Sequence, residues 1–97
     1  MVASSSGATP GAQKKIVVYT TEWCPYCVRA KNLIKHKGWA FEEINVEGDA
    51  EKRAWLAEVT GRRTVPQIFI GERSVGGFDD IAALDRAGEL DRMVNGA

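Results

Sequence analysis

A cysteine pair lies within the segment Thr21-Glu22-Trp23-Cys24-Pro25-Tyr26-Cys27, where the apolar run over residues 16–20 gives way to a helical pattern. Pro25 suits the first position of a helix, because the N–H that proline lacks would have no helical partner there. Cys24 is therefore predicted at the N-cap of this helix and Cys27 one turn inside it. The two sulfurs are expected to have different environments.

The predicted position of Cys24 favours a reactive thiolate. Unpaired N–H groups and the positive end of the helix dipole stabilise a negative charge there, and such sites bring a cysteine pKa of about 8.5 down to roughly 3.5–7.5. Cys27 lies on the same helix face but further from that end, where it can attack a mixed disulfide on Cys24. We therefore predict that Cys24 is the nucleophile and Cys27 the resolving thiol.

Two other roles for a Cys-x-x-Cys pair are disfavoured. It could be half of a structural zinc site, but zinc takes four ligands and the chain has no second cysteine pair, only His36 and carboxylates. A purely structural disulfide would close a loop too short to constrain much of the unfolded chain. A redox role is favoured, and no metal site is predicted.

Length and charge limit the possible partners. The 97 residues allow one domain, and 13 Lys and Arg balance 13 Asp and Glu without a long basic run, so neither nucleic acid nor an anionic membrane is an expected partner. No secretory signal or membrane span is recognised, so we expect a cytoplasmic protein, and we expect it to be a monomer. In a reducing cytosol, a Cys-x-x-Cys pair is more often catalytic or metal-binding than structural. Residues 1–13, rich in Ser, Gly and Ala, are predicted to be a disordered tail before a domain over 14–97.

The apolar patterning predicts an α/β chain. The predicted elements, in order, are a buried strand over 16–19, a helix over 25–37, a strand over 39–46, a helix over 49–61, a strand after Pro66 to residue 70, a short edge strand at 74–75, a helix over 79–87 and one further helical turn. The helical crossover makes the first two strands parallel, and the tight turn at 71–73 makes the last two antiparallel. Asp49 and Asp79 are the predicted N-caps. The helix over 49–61 is expected to turn four side chains inward: Ala54, Trp55, Leu56 and Val59.

This order of elements, with the cysteines at the start of the first helix, resembles the glutaredoxins over about residues 15–94. Three motifs carry the resemblance, which is to the dithiol, bacterial glutaredoxin 3 class: Cys24-Pro25-Tyr26-Cys27, Thr64-Val65-Pro66 and Gly76-Gly77-Phe78-Asp79-Asp80. Thioredoxins, the sister family, usually carry Trp-Cys-Gly-Pro-Cys instead. The resemblance implies a thioredoxin-like fold, a four-stranded mixed sheet with three or more flanking helices. It also implies a cis peptide before Pro66 that faces the cysteines.

The resemblance further implies glutathione as cosubstrate, with no permanently bound cofactor. The residues expected to contact glutathione are Tyr26, Arg53, Arg63, Thr64, Val65, Pro66, Gly77, Phe78, Asp79 and Asp80. Main-chain groups of Val65 would pair with the cysteinyl part, the N–H groups of Phe78 and Asp79 would hold the γ-glutamyl carboxylate, and Asp79 or Asp80 would meet the amine.

One position departs from the family pattern. Glutaredoxins commonly have a lysine three residues before the first cysteine, where this chain has Thr21. Arg53 and Arg63 are the candidates to replace that cation at the glycyl carboxylate, because arginine pairs readily with carboxylates.

The expected function is therefore glutathione-dependent thiol–disulfide exchange that reduces protein disulfides and protein–glutathione mixed disulfides. The alternative is a binding protein in which two chains hold an iron–sulfur cluster through Cys24 and two glutathiones, as some glutaredoxins do. Pro25 argues against the alternative, because cluster-holding members typically have Gly or Ser at that position.

Overall fold

The computed structural model describes residues 13–95, which fold in the order βαβαββαα. The elements are β1 (Ile16–Thr20), α1 (Pro25–His36), β2 (Glu42–Asn45), α2 (Ala50–Thr60), β3 (Gln67–Ile70), β4 (Arg73–Gly76), α3 (Phe78–Arg86) and α4 (Glu89–Asn95). Residues 1–12 of the predicted tail lie outside this range, whereas the Gln13 side chain exchanges two hydrogen bonds with the Ala40 backbone, at 2.7 and 3.1 Å. None of the described helices has the length and apolar character needed to cross a bilayer.

The four strands form one mixed sheet in the order β2-β1-β3-β4. β1 runs parallel to β2 and antiparallel to β3, and β3 and β4 form the antiparallel hairpin. This arrangement confirms the predicted mixed sheet with its flanking helices. The second strand is shorter than predicted, because the Trp39 N–H donates to the Ile34 carbonyl and the Ala40 backbone is bonded to the Gln13 side chain instead of to β1.

The core lies on both faces of β1, because successive side chains of a strand point to opposite faces of the sheet. On one face, Ile16 and Val18 join the buried side chains of α1, α3 and α4. On the other face, Tyr19 packs with Val46 and with Leu56 of α2. β1 joins both halves of the core, because its side chains lie in both clusters. Burying each aliphatic side chain of this size contributes roughly 1.5–3 kcal/mol to stability.

The predicted inward face of α2 is wrong for three of its four residues. Only Leu56 is buried; Ala54 is exposed, and Trp55 and Val59 remain 42% and 50% exposed. Within residues 13–95, Leu56 is the only helical residue in the core cluster on this side of the sheet, so one row of α2 side chains meets the core. Trp55 instead lies across Phe69, with ring centroids 6.2 Å apart, and covers the border of the cluster.

Candidate active site

The cysteine pair occupies the start of α1 as predicted. Cys24 is the N-cap, with extended backbone, Pro25 is the first helical residue, and the Cys27 N–H donates to the Cys24 Sγ at 3.1 Å. The two residues are joined as a disulfide, with their Cα atoms 5.1 Å apart. Cys27 is buried and Cys24 is partly exposed. An incoming thiolate therefore has access to the Cys24 sulfur, which also lies at the end of the helix that favours negative charge.

The segment before β3 faces this disulfide. The Val65–Pro66 peptide bond is cis, as the resemblance implied, and the Val65 carbonyl oxygen lies 3.9 Å from the Cys24 Sγ. Pro66 itself is buried, whereas Thr64 is exposed. The main chain of Val65 is thus next to the reactive sulfur.

A groove of about 240 Å³ lies beside Cys24, between this segment and the start of α3. Its lining residues are Tyr26, Arg62, Thr64, Val65, Pro66, Gly77, Phe78, Asp79 and Asp80. The groove therefore brings together all the predicted contact residues except Arg53 and Arg63. Those two arginines line a neighbouring cavity of about 10 Å³, which shares Arg62, Thr64 and Val65 with the groove. A larger groove of about 410 Å³ between β4, α3 and α4 is lined by no residue of the segment that faces the disulfide.

Arg62 is the lining residue that the sequence interpretation missed. Its Nη1 donates to the Oδ2 of Asp80 at 2.7 Å, so this ion pair joins the two walls of the groove. Arg62 lines both this groove and the small cavity, whereas Arg63 lines only the small cavity. No local signal distinguishes the two arginines, because the partner of Arg62 is Asp80, 18 residues further along the chain.

Asp80 has two hydrogen-bond donors in this arrangement. Arg62 holds the pKa of the Asp80 carboxyl below its usual value, and the Gly77 N–H, which donates to Oδ2 at 2.9 Å, lowers that pKa further. The carboxylate is consequently ionised at neutral pH and already paired. Asp79, in contrast, is exposed and forms no ion pair with any residue in the range 13–95.

The start of α3 differs from the prediction by two residues. Gly77, rather than Asp79, is the N-cap, and Asp80 at the third helical position accepts from the Gly77 N–H. A carboxylate at the third helical position can accept a hydrogen bond from the N-cap N–H, which is one half of a capping box. Gly77 has no side chain that could supply the other half. The N–H groups of Phe78 and Asp79, in the first turn of α3, have no partners within the helix.

Two aromatic residues line the groove. Tyr26 is 52% exposed, and its ring centroid is 6.3 Å from that of Phe78. The Arg29 guanidinium lies 5.2 Å from the centre of the Tyr26 ring. These contacts hold the exposed tyrosine beside the disulfide.

Comparison with known proteins agrees with this geometry. A family profile described as Glutaredoxin matches residues 16–75, more than half of the chain. The chain is 56% identical over 80 residues to a glutaredoxin of Pseudomonas aeruginosa, covering 82% of this chain and 95% of that protein. It is 48% identical over 79 residues to glutaredoxin 3 of Escherichia coli K12, covering 81% and 95%.

A solved structure shows the same fold. The crystal structure of a buckwheat glutaredoxin–glutathione complex superposes with a TM-score of 0.77 at 36% identity, covering 81% of this chain and 74% of that one. Together with the cysteine pair, these similarities support a thiol–disulfide oxidoreductase function. The chain, with its thioredoxin-like fold and its Cys24–Cys27 pair, belongs to the glutaredoxin family.

Proposed function

We propose that the protein is a glutathione-dependent oxidoreductase that reduces protein disulfides and protein–glutathione mixed disulfides. The observation that carries the proposal is the groove beside Cys24, which combines an accessible main chain at Val65, a helix N-terminus and charges of both signs. Glutathione is an extended peptide with two carboxylates and one amine, so it needs this combination. The glutathione bound to the buckwheat glutaredoxin supports the assignment.

In the proposed reaction on a glutathionylated protein, the Cys24 thiolate attacks the glutathione sulfur. The bond between glutathione and the protein breaks, the protein leaves as a thiolate, and Cys24 becomes linked to glutathione. A second glutathione thiolate then attacks that linkage, which releases oxidised glutathione and restores the Cys24 thiolate.

On a protein disulfide, Cys24 forms a mixed disulfide with one protein sulfur and releases the other as a thiolate. Cys27 then attacks the Cys24 sulfur, which frees the second protein thiol and forms the Cys24–Cys27 disulfide present in this structure. Two glutathiones reduce this disulfide in turn. The 5.1 Å between the two Cα atoms lies within the range that a disulfide spans.

The proposed binding mode follows from which groups in the groove already have partners. The unpaired N–H groups of Phe78 and Asp79 would take the γ-glutamyl carboxylate, and Val65 would pair with the cysteinyl part. Because Asp80 is already paired with Arg62, exposed Asp79 is the better acceptor for the amine. Pro66, Gly77, Thr64 and Tyr26 also line the groove and would contact the peptide.

The first test compares glutathione with a thiol that lacks carboxylates. Turnover of a glutathionylated peptide should be faster with glutathione than with 2-mercaptoethanol at equal thiolate concentration, by about tenfold or more, the effect of one or two charged hydrogen bonds. Equal rates with the two thiols would contradict glutathione dependence.

An anaerobic absorption spectrum of freshly purified protein tests the cluster-binding alternative, because a bound iron–sulfur cluster would give visible absorption bands.

A second prediction separates the three arginines near the groove. Arg62→Ala should raise the KM for a glutathionylated peptide by about two- to fivefold, as expected for a partly exposed charge in the groove. Arg63→Ala removes the same charge from the neighbouring position and is the matched control, and Arg53→Ala tests the other candidate. If Arg63→Ala or Arg53→Ala raises KM more than Arg62→Ala does, that arginine holds the glycyl carboxylate, as the sequence interpretation expected.

A further inference from the structure

Trp23, immediately before Cys24, is unusual in both its exposure and its backbone. Its side chain is 97% exposed, and within residues 13–95 it is the one residue other than glycine with a positive φ, at 54°. A left-handed conformation is unfavourable for a bulky residue, and such strain concentrates at functional sites. The backbone therefore holds a large aromatic side chain in solvent at the edge of the reactive disulfide.

Two carboxylates belong to the chain around Trp23: Glu22 precedes it in the sequence, and Glu47 contacts the Glu22 backbone. The Glu22 N–H donates to the Glu47 Oε1 at 3.3 Å, which fixes the Glu47 carboxylate beside the segment that carries Trp23. Both glutamates are exposed, and neither forms an ion pair within the described part of the chain. By comparison, Glu42 and Glu43 on the nearby strand β2 are paired with Lys15 and Lys31. We name Glu22, Trp23 and Glu47 the Trp23 patch.

The Trp23 patch is separate from the groove beside Cys24. None of its three residues lines that groove. In the sheet order β2-β1-β3-β4, Glu47 follows β2, whereas the groove, apart from Tyr26 of α1, is built from the residues that precede β3 and follow β4. The two surfaces thus lie on opposite sides of β1, which leads to Cys24. A substrate disulfide at Cys24 can occupy the groove with one half and the Trp23 patch with the other.

We propose that the Trp23 patch binds the polypeptide half of the substrate and selects a Lys or Arg next to the substrate cysteine. This inference rests on the proposed function, because it assigns the groove to glutathione and the patch to protein. A cation can stack on the indole while the two free carboxylates attract it, and each contact favours a positive charge over a neutral or negative one. Tryptophan is also among the residues that contribute most to binding at protein interfaces.

The experiment uses two glutathionylated peptides that differ only in the residue beside cysteine, Arg in one and Glu in the other. The wild type should prefer the Arg peptide by about tenfold in kcat/KM, from one cation–π contact and two nearby carboxylates. Trp23→Ala should reduce this ratio by about threefold and Glu47→Gln by about two- to threefold. Because both peptides are measured on the same variant, a general loss of activity cancels in the ratio.

Glu72→Gln is the matched control, because Glu72 is an exposed carboxylate in the turn between β3 and β4 and should leave the ratio unchanged. The wild-type ratio should also shrink as salt is raised. A wild-type ratio near one, or the wild-type ratio retained in Trp23→Ala or Glu47→Gln, would overturn the proposal. The proposed function is tested separately with the mixed disulfide of glutathione and 2-mercaptoethanol, which has no polypeptide half. If the wild type does not turn over this substrate, the proposed function is refuted, and not the role of the Trp23 patch.

Discussion

Cys24→Ser is expected to abolish exchange on every substrate, whereas Cys27→Ser is expected to keep most of the activity on glutathionylated peptides. The Cys24 sulfur is the partly exposed one, at the helix N-terminus and 3.1 Å from the Cys27 N–H, and a serine hydroxyl there would not ionise. Cys27 is needed only where the second thiol of a protein disulfide must be released, because glutathione itself can resolve the glutathionylated intermediate. Cys27→Ser should therefore lose activity on protein disulfides.

The measurement is the steady-state rate with each substrate class for the wild type and both variants. Cys27 is only 2% exposed, so Cys27→Ser buries a hydroxyl in place of a thiol and is expected to lower stability. Cys27→Ala, which adds no polar group, controls for this effect, and thermal unfolding checks both variants. Equal loss in the Cys24 and Cys27 variants on glutathionylated peptides would refute the division of roles.

The strands and helices near the cysteines could be predicted because local signals determine them. A continuous apolar run indicates a strand buried on both faces, and β1 has cores on both faces. Pro25 marks the first turn of α1, and Gly61, with φ of 76°, ends α2 in the conformation that favours glycine. Each of these features needs only a few neighbouring residues.

The predictions for α2 and for the start of α3 were wrong because tertiary contacts determine these features. The pattern of α2 predicted a wide apolar face, but only Leu56 reaches the core, and no local signal shows how much of a helix the sheet will cover. The N-cap of α3 was misplaced because Asp80 supplies the capping hydrogen bond from inside the helix, to Gly77. Asp80 also pairs with Arg62 from 18 residues away. Such a long-range ion pair is visible only after the fold has brought the two walls of the groove together.

Gly76→Ala is expected to destabilise the protein and to weaken glutathione binding together. Gly76 is buried with φ of 104°, and a Cβ there would overlap the Asp80 side chain, 2.6 Å from its carboxyl carbon. The substitution therefore imposes an unfavourable backbone conformation, which costs roughly 1–3 kcal/mol, and displaces the carboxylate that binds the Gly77 N–H and Arg62. For a domain of this size the conformational cost alone lowers Tm by at least about 4–8 °C.

Two further glycine variants separate the causes. Gly88 has φ of 78° with no neighbour within 4 Å, so Gly88→Ala measures the conformational cost alone. Gly77 has φ of −106°, and a Cβ there would lie 3.2 Å from the Pro66 carbonyl oxygen, so Gly77→Ala measures a tight contact without that cost. Gly76→Ala should lower Tm more than either, and it should raise the KM for a glutathionylated peptide, whereas Gly88→Ala should not. If Gly76→Ala lowers Tm no more than Gly88→Ala and leaves KM unchanged, Asp80 can move away without consequence. The hydrogen bonds from Gly77 and Arg62 to Asp80 would then have no part in shaping the groove.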